Sequence, residues 1–300
     1  MKRALIFGIN DYPGAANDLQ GCVNDAYLVP EKINSLFPGA AIDNPLARGM
    51  RPPDNVLRRG ADDAERVAEM YRNLGFDVKI FLNSQVTIER YEAEISDAFA
   101  AAMPGDFIVI WYSGHGTQVP DQDGDEADGY DEALYLYNGA YTDDRQRILI
   151  AKKPKNVFLF MGMDCCFSGT NTRDIKKKPR FKPIATSTPL DTAGNVKVKR
   201  RGNFIRSFDM DYIVLTGCAE YQTSADAYIN GKYQGAMTYY AMKTLEGGIS
   251  YQEWYKRIRK YLPSSSFDQI PQMEGNTDLL KTGVFGTELK KKGCIFKFFN

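Results

Sequence analysis

Residues 3–9 read Arg-Ala-Leu-Ile-Phe-Gly-Ile, a short apolar run ended by Asn10-Asp11 and Pro13-Gly14, and predict a buried strand followed by a loop. From Asp62 the apolar positions Val67, Ala68, Tyr71 and Leu74 recur at helical spacing, with Asp62 and Glu65 placed as a capping box and Gly75 as a stop. A strand is predicted over 78–82, a second amphipathic helix over 87–103, and a strand apolar on both faces over 107–112. The order βαβαβ implies a parallel sheet. Further buried strands are predicted over 156–163 and 212–217, and helices over 235–246 and 251–262. The fold class expected is therefore α/β, with a mostly parallel central β-sheet flanked by helices on both faces. In such sheets ligands bind beyond the carboxyl ends of the strands. Ser113-Gly114-His115, Asp164-Cys165-Cys166 and Cys218-Ala219-Glu220 all follow predicted strands directly.

Two stretches interrupt this plan. Residues 30–60 hold prolines at 30, 38, 45, 52 and 53 and read as an irregular insertion near the start of a helix, which either Asn24-Asp25-Ala26 or Asp63-Ala64-Glu65 could begin. Residues 176–206 carry Lys176, Lys177, Lys178, Arg180, Lys182, Lys197, Lys199, Arg200, Arg201 and Arg206 against the single acid Asp191. Such a run is a solvated linker, a protease-sensitive processing segment or an anion-binding surface.

Composition narrows the function classes. At 300 residues with 43% hydrophobic content the chain can bury a substantial core as one domain. Lys+Arg 38 balance Asp+Glu 38, so no global field draws the protein to nucleic acid or an anionic membrane. No apolar run approaches the roughly 18–20 residues of a membrane span, and Asp11 with no small-residue cleavage site argues against a signal peptide. Five cysteines, at 22, 165, 166, 218 and 294, are an odd count without CxxC pairs, which favours a reducing, cytoplasmic setting over a disulfide framework. Imidazole chemistry rests on His115 alone, because the chain has no other histidine.

His115 stands between Gly114 and Gly116 at the end of an apolar strand, where glycines let a ligand approach the backbone. Fifty-one residues on, another apolar strand ends in Asp164-Cys165-Cys166-Phe167-Ser168-Gly169. A thiol and an imidazole on neighbouring strand ends form a nucleophile and its acid-base partner; a buried cysteine packing as a small hydrophobe is the other reading.

Taken together these motifs resemble the caspase-like cysteine peptidases, and within them the metacaspases. The resemblance rests on Ala4-Leu5-Ile6-Phe7-Gly8-Ile9-Asn10, Gly21-Cys22-Val23-Asn24-Asp25-Ala26 and Tyr112-Ser113-Gly114-His115-Gly116. It continues through the acidic stretch 121–132, Asp164 to Gly169, and Thr216-Gly217-Cys218 with Gln222-Thr223-Ser224-Ala225. The resemblance implies a caspase-like fold over 1–300: a large-subunit-like region to 175 with the 30–60 insertion, a basic linker over 176–207, and a small-subunit-like region over 208–300. It implies Cys166 as nucleophile rather than Cys165, His115 as its partner, and the N–H groups of Gly116 and Cys166 as an oxyanion hole. It further implies a pocket for the residue before the scissile bond lined by Cys22, Asp25, Ser113 and Asp164. An aspartate pair there selects arginine or lysine and repels acidic side chains. A helix cap for Asp25 and a strand-end turn for Asp164 remain the plainer roles.

Seven of the twelve residues from 121 to 132 are acids that repel one another without a counter-ion. The glycine position fails the EF-hand pattern. The resemblance implies a calcium site built from Asp131, Asp143, Asp144 and Asp174, acting as a switch; a solvated acidic loop is the other reading. The function expected is thus a calcium-stimulated, monomeric cysteine endopeptidase cutting peptide or protein substrates after Arg or Lys. It is expected to carry no prodomain, membrane anchor or nucleic-acid partner, and its linker offers self-cleavage sites. A catalytically silent module binding calcium or a partner is the alternative from another class.

Overall fold

Alternation along the first strand sets the architecture. In β1 (Lys2–Gly8), Ala4 and Ile6 pack into one apolar cluster while Leu5 and Phe7 pack into another, so both faces of the strand are buried. The computed structural model describes residues 1–14, 18–36, 42–43, 76–120, 130–166, 177–180, 210–219, 222 and 224–290. The main sheet has seven strands: β1, β2 (Ile42–Asp43), β3 (Asp77–Leu82), β4 (Phe107–Ser113), β8 (Phe158–Asp164), β10 (Ile213–Thr216) and β13 (Gln272–Gly275). Their order is β13-β10-β8-β4-β1-β3-β2, parallel except for β13 against β10. The α/β expectation with a mostly parallel sheet thus holds.

Helices cover both faces. On one side α1 (Cys22–Leu36), α4 (Ala236–Thr244) and α5 (Tyr251–Ile258) pack Ala26, Val29, Ile33, Met237, Ala241 and Trp254 against Ile6, Val109, Trp111, Phe160 and Leu215. On the other, α2 (Ile88–Ala101) and α3 (Asp143–Ile150) lay Tyr91, Ile95, Phe99, Leu149 and Ile150 over Leu5, Phe7, Ile108, Ile110 and Leu159. Each of the valine, leucine, isoleucine, phenylalanine and methionine side chains among them contributes about 1.5–3 kcal/mol of burial, which fixes the strand ends. The predicted strands over 78–82, 107–112, 156–163 and 212–217, and the helices over 87–103, 235–246 and 251–262, all match observed elements. The helix predicted over 62–75 lies outside the described residues.

Three departures have physical reasons. The insertion was expected to begin at Pro30, yet α1 runs through Pro30 to Leu36. Proline removes one helical N–H bond. Cys22, Ala26, Val29 and Ile33, all fully buried, form a continuous apolar stripe against the sheet that carries the helix past it. A second sheet, β5 (His115–Pro120), β6 (Tyr130–Leu136) and β7 (Gly139–Thr142), is antiparallel and has no counterpart in the sequence reading. Its strands are short, and in β6 the acids Asp131 and Glu132 leave only Ala133 to Leu136, all buried, as an apolar run.

The third departure falls in the basic stretch. Residues Lys177–Pro179 form β9, paired antiparallel with β11 (Ala225–Ile229), which in turn pairs with β12 (Lys232–Gly235). Arg180 follows, and it is fully buried. These four residues are a strand and an inserted side chain rather than solvated linker; 181–207 lie outside the described residues.

Candidate active site

The parallel register sets Ser113, the last residue of β4, opposite Asp164, the last of β8, at the carboxyl edge of the sheet. α1 begins beside them, so its first turn brings Cys22 and Asp25 over the same edge, all buried. Asp25 does not cap the helix with its side chain. Its carboxylate accepts from Ser113 Oγ at 2.6 Å and from the Gly235 N–H at 3.0 Å. Asp164 accepts from Ser224 Oγ (2.6 Å), Thr238 N–H (3.0 Å) and Thr238 Oγ1 (2.6 Å), a set that locks its rotamer.

Between these carboxylates lies the guanidinium of Arg180. Its Nη2 donates to Asp25 at 2.7 Å and to Asp226 at 3.1 Å; its Nη1 donates to Ser113 Oγ at 2.5 Å and stands 3.3 Å from Asp164. Asp226, on β11, is the pocket residue that sequence reasoning missed. It adjoins the motif Gln222-Thr223-Ser224-Ala225 by one position, and that adjacency was the available signal. Its carboxylate also accepts from the Gln20 N–H at 2.8 Å, tying the chain before α1 to the pocket. Three buried carboxylates around one guanidinium form a cation socket with excess negative charge. Burial alone would lower the Arg180 pKa, but Asp164 and the other acids together hold it well above the usual arginine value. Burial pushes Asp25 up to about 7, with Arg180 opposing and Asp164 adding to the rise. Cys22 lines the socket as a neutral thiol, its pKa raised by burial.

The backbone of the same arginine meets Gly116 and Cys166. The Gly116 N–H donates to the Arg180 carbonyl oxygen at 2.8 Å and the Cys166 N–H to the same oxygen at 3.3 Å. Two backbone donors on one carbonyl are what an oxyanion hole requires. Glycine is needed at 116 because a Cβ there would overlap the Cys166 carbonyl. Glycine is needed at 235 too, where a Cβ would strike Asp164 and the Arg180 guanidinium. His115 immediately precedes Gly116; its N–H donates to Tyr12 Oη at 2.8 Å, its carbonyl accepts from Tyr112 Oη at 2.8 Å, and its ring packs on Tyr12 with centroids 4.8 Å apart. The Cys166 sulfur accepts from the Ser224 N–H at 2.7 Å and donates to the Ser224 carbonyl at 3.2 Å. Burial first, then Cys218, push its thiol well above the usual cysteine value, so it is held protonated. Cys165 instead packs among Leu5, Tyr12, Met163 and other apolar residues.

The residues expected to hold calcium are less closely assembled. Asp131 on β6 and Asp143-Asp144 at the start of α3 lie at one end of the same ladder, because Ala133 pairs with Thr142. Asp143 and Asp144 both pair with Arg147. Asp174 lies outside the described residues, and among the described residues no group of three His, Cys, Asp or Glu side chains forms a metal-holding cluster. No described helix is long and apolar enough to cross a membrane.

Comparison with known proteins places this geometry. The chain is 27% identical over 91% of its length to Metacaspase-1 of Schizosaccharomyces pombe and 28% identical over 92% to Metacaspase-1 of Candida glabrata. It spans 66% and 72% of those proteins, respectively. Its structure is similar to that of the Geobacter sulfurreducens protein GSU0716, with a TM-score of 0.64, 25% identity, and coverage of 96% of this chain and 99% of that one. Caspase-1 of Spodoptera frugiperda shares the fold alone, at a TM-score of 0.50 and 12% identity, covering 97% of this chain and 91% of that one. The caspase domain model matches residues 53–281, and the chain therefore belongs to the caspase-domain family of cysteine peptidases.

Proposed function

We propose that the protein is a cysteine endopeptidase that cleaves peptide and protein substrates after arginine or lysine, is stimulated by calcium, and cuts itself within 176–207. One observation carries the specificity: a guanidinium sits among Asp25, Asp164 and Asp226 while the carbonyl of the same residue meets the N–H groups of Gly116 and Cys166. A substrate arginine taking that position presents its carbonyl carbon to Cys166. Because the thiol is protonated, His115 takes its proton as sulfur attacks, and the developing oxyanion is held by the two N–H groups. His115 then protonates the leaving amine as the C–N bond breaks. Water, deprotonated by His115, hydrolyses the thioester and restores Cys166. An aspartate side chain in the socket would meet three carboxylates and be excluded.

Asp131, Asp143 and Asp144 are hard oxygen donors suited to calcium, and Asp174 would supply a further one. Calcium held there would supply positive charge that offsets repulsion among these acids. The steps on the peptide belong to the chain's own residues. The test is hydrolysis of paired fluorogenic peptides ending in Arg and in Asp across a calcium titration. We expect release from the Arg peptide alone, rising with calcium; equal or greater release from the Asp peptide would reject the specificity, and a flat titration would reject the calcium role.

A pH dependence follows from Asp25. A guanidinium binds the ionised carboxylate better than the acid; Asp25 stands at about 7 with the Arg180 guanidinium lowering it and lies higher in an empty socket, so entry of arginine expels a proton. KM for the Arg peptide should therefore fall as pH rises above about 7, and Asp25→Asn should flatten that fall while raising KM throughout. The check is KM against pH for both proteins; an unchanged slope in the variant would remove Asp25 as the titrating group.

A further inference from the structure

His115 is gripped through its main chain by two tyrosine hydroxyls. Its N–H donates to Tyr12 Oη at 2.8 Å, and its carbonyl accepts from Tyr112 Oη at 2.8 Å. The two hydroxyl oxygens stand 3.4 Å apart. Tyr112 Oη also lies 2.9 Å from the carbonyl of Tyr135, the residue that β6 sets opposite His115. All four residues are buried. The imidazole packs on the Tyr12 ring, with centroids 4.8 Å apart and planes at 44°, and the Tyr135 ring lies 5.8 Å from that of Tyr12. Burial holds the Tyr12 and Tyr112 phenols well above the usual tyrosine pKa, so each keeps its hydrogen.

Tyr12 is itself held in place. It lies in the loop after β1, where Asn83 Oδ1 accepts from the N–H groups of Asn10 (2.9 Å) and Asp11 (3.3 Å), and Asp18 accepts from the Tyr12 N–H at 3.1 Å. Gly114 leaves room for the tyrosine pair, since a Cβ there would overlap both hydroxyls. A tyrosine that only filled space would tolerate loss of its hydroxyl, whereas this hydroxyl meets the main chain of the single histidine in the sequence.

We propose that Tyr12 is a positioning residue for the acid–base step: its hydroxyl and ring together hold His115 where it exchanges protons with Cys166 and the leaving amine, and Tyr112 secures the same residue by its carbonyl. This role rests on the endopeptidase reading above, which assigns Tyr12 none. Displacing a catalytic group by about 1 Å costs on the order of 100-fold in rate, so the grip on the main chain bears directly on kcat. The ring adds a second effect. When His115 takes the Cys166 proton it becomes a cation, and a cation within about 6 Å of an aromatic centroid is attracted by the ring quadrupole. That charge exists only once the proton has moved, so the attraction favours the transition state over bound substrate and raises kcat without lowering KM.

The test compares wild type, Tyr12→Phe, Tyr12→Leu and Tyr112→Phe by steady-state hydrolysis of the Arg peptide with calcium, by thermal melts, and by proton NMR of the imidazole. One histidine gives one set of ring signals, provided that the protein carries no histidine tag. Tyr12→Phe keeps the ring and loses the acceptor: kcat should fall about tenfold with KM within about twofold of wild type, and the imidazole signals should stay near their wild-type positions. Tyr12→Leu loses both, so kcat should fall about 100-fold and the imidazole signals should shift as the ring current of Tyr12 disappears. Tyr112→Phe should lower kcat about tenfold, again at unchanged KM. Wild-type kcat in folded Tyr12→Phe and Tyr12→Leu, a loss confined to KM or to Tm, or imidazole signals unmoved in Tyr12→Leu would overturn the proposal while leaving the endopeptidase reading in place. Wild type unable to hydrolyse the Arg peptide would overturn both.

Discussion

Replacing Cys166 by alanine should reduce Arg-peptide hydrolysis by about 1,000-fold or more, and His115→Ala should cost about as much, with the double variant scarcely worse than either. The expectation follows from placement. The Cys166 N–H and the Gly116 N–H meet one carbonyl oxygen, and the Cys166 sulfur is fixed by both backbone groups of Ser224. In the proposed mechanism the nucleophile, its base and the oxyanion donors act on one carbon, so losing one member should idle the others. Cys165→Ser supplies the contrast. That side chain lies in the apolar cluster between the sheet and α2, so its hydroxyl should lower stability by about 1–3 kcal/mol while kcat of the folded enzyme stays close to wild type. Steady-state kinetics with thermal melts of the variants checks both halves; substantial turnover in Cys166→Ala would move the nucleophile elsewhere.

The second large effect belongs to the socket. Asp164→Ala removes a carboxylate 3.3 Å from the bound guanidinium and leaves Ser224 Oγ and both polar groups of Thr238 without their acceptor. Truncating one partner of a buried, hydrogen-bonded charge pair costs about 2–5 kcal/mol, so kcat/KM for an Arg peptide should fall by roughly 30- to several-thousand-fold. Asp226→Asn keeps an oxygen for the Gln20 N–H and removes only the charge, and about a tenfold loss is expected. The ordering of the two, measured as kcat/KM on folded protein, separates the residue that both shapes and charges the socket from the one that chiefly charges it. An Asp226→Asn enzyme as active as wild type would mean that two carboxylates suffice.

Legibility in the sequence tracked how local each signal was. Strands buried on both faces, such as Phe107–Ser113 and Phe158–Asp164, announce themselves as continuous apolar runs, and their polar last residues mark the edge where ligands bind. Hence Ser113, His115, Asp164 and Cys166 could be singled out and are found at one edge. The second sheet was missed because Gly116, Thr117, Asp131 and Glu132 interrupt any period-two pattern over such short strands. Pro30 read as a breaker because composition does not reveal the stripe Cys22, Ala26, Val29 and Ile33 packed on a sheet. The deepest miss was Arg180. Within a basic run every side chain looks solvated, and what buries this one is three carboxylates from positions 25, 164 and 226, two of them from elements far from it in sequence. Asp226 escaped although it adjoins Gln222-Thr223-Ser224-Ala225 by one position, since the motif does not tell which way the next side chain faces.

Affinity labelling puts the central claim to its plainest trial. The protein, first incubated with calcium, is treated with a peptide chloromethyl ketone ending in arginine, which alkylates the nucleophile and loses chloride, and the modified residue is located by peptide mass mapping. The reagent should mark Cys166 alone, be slowed by excess Arg peptide, and leave Cys166→Ala unmodified. Labelling of Cys165 or Cys218 in place of Cys166, or equal labelling by the matching aspartate reagent, would contradict an Arg-directed site built on Cys166.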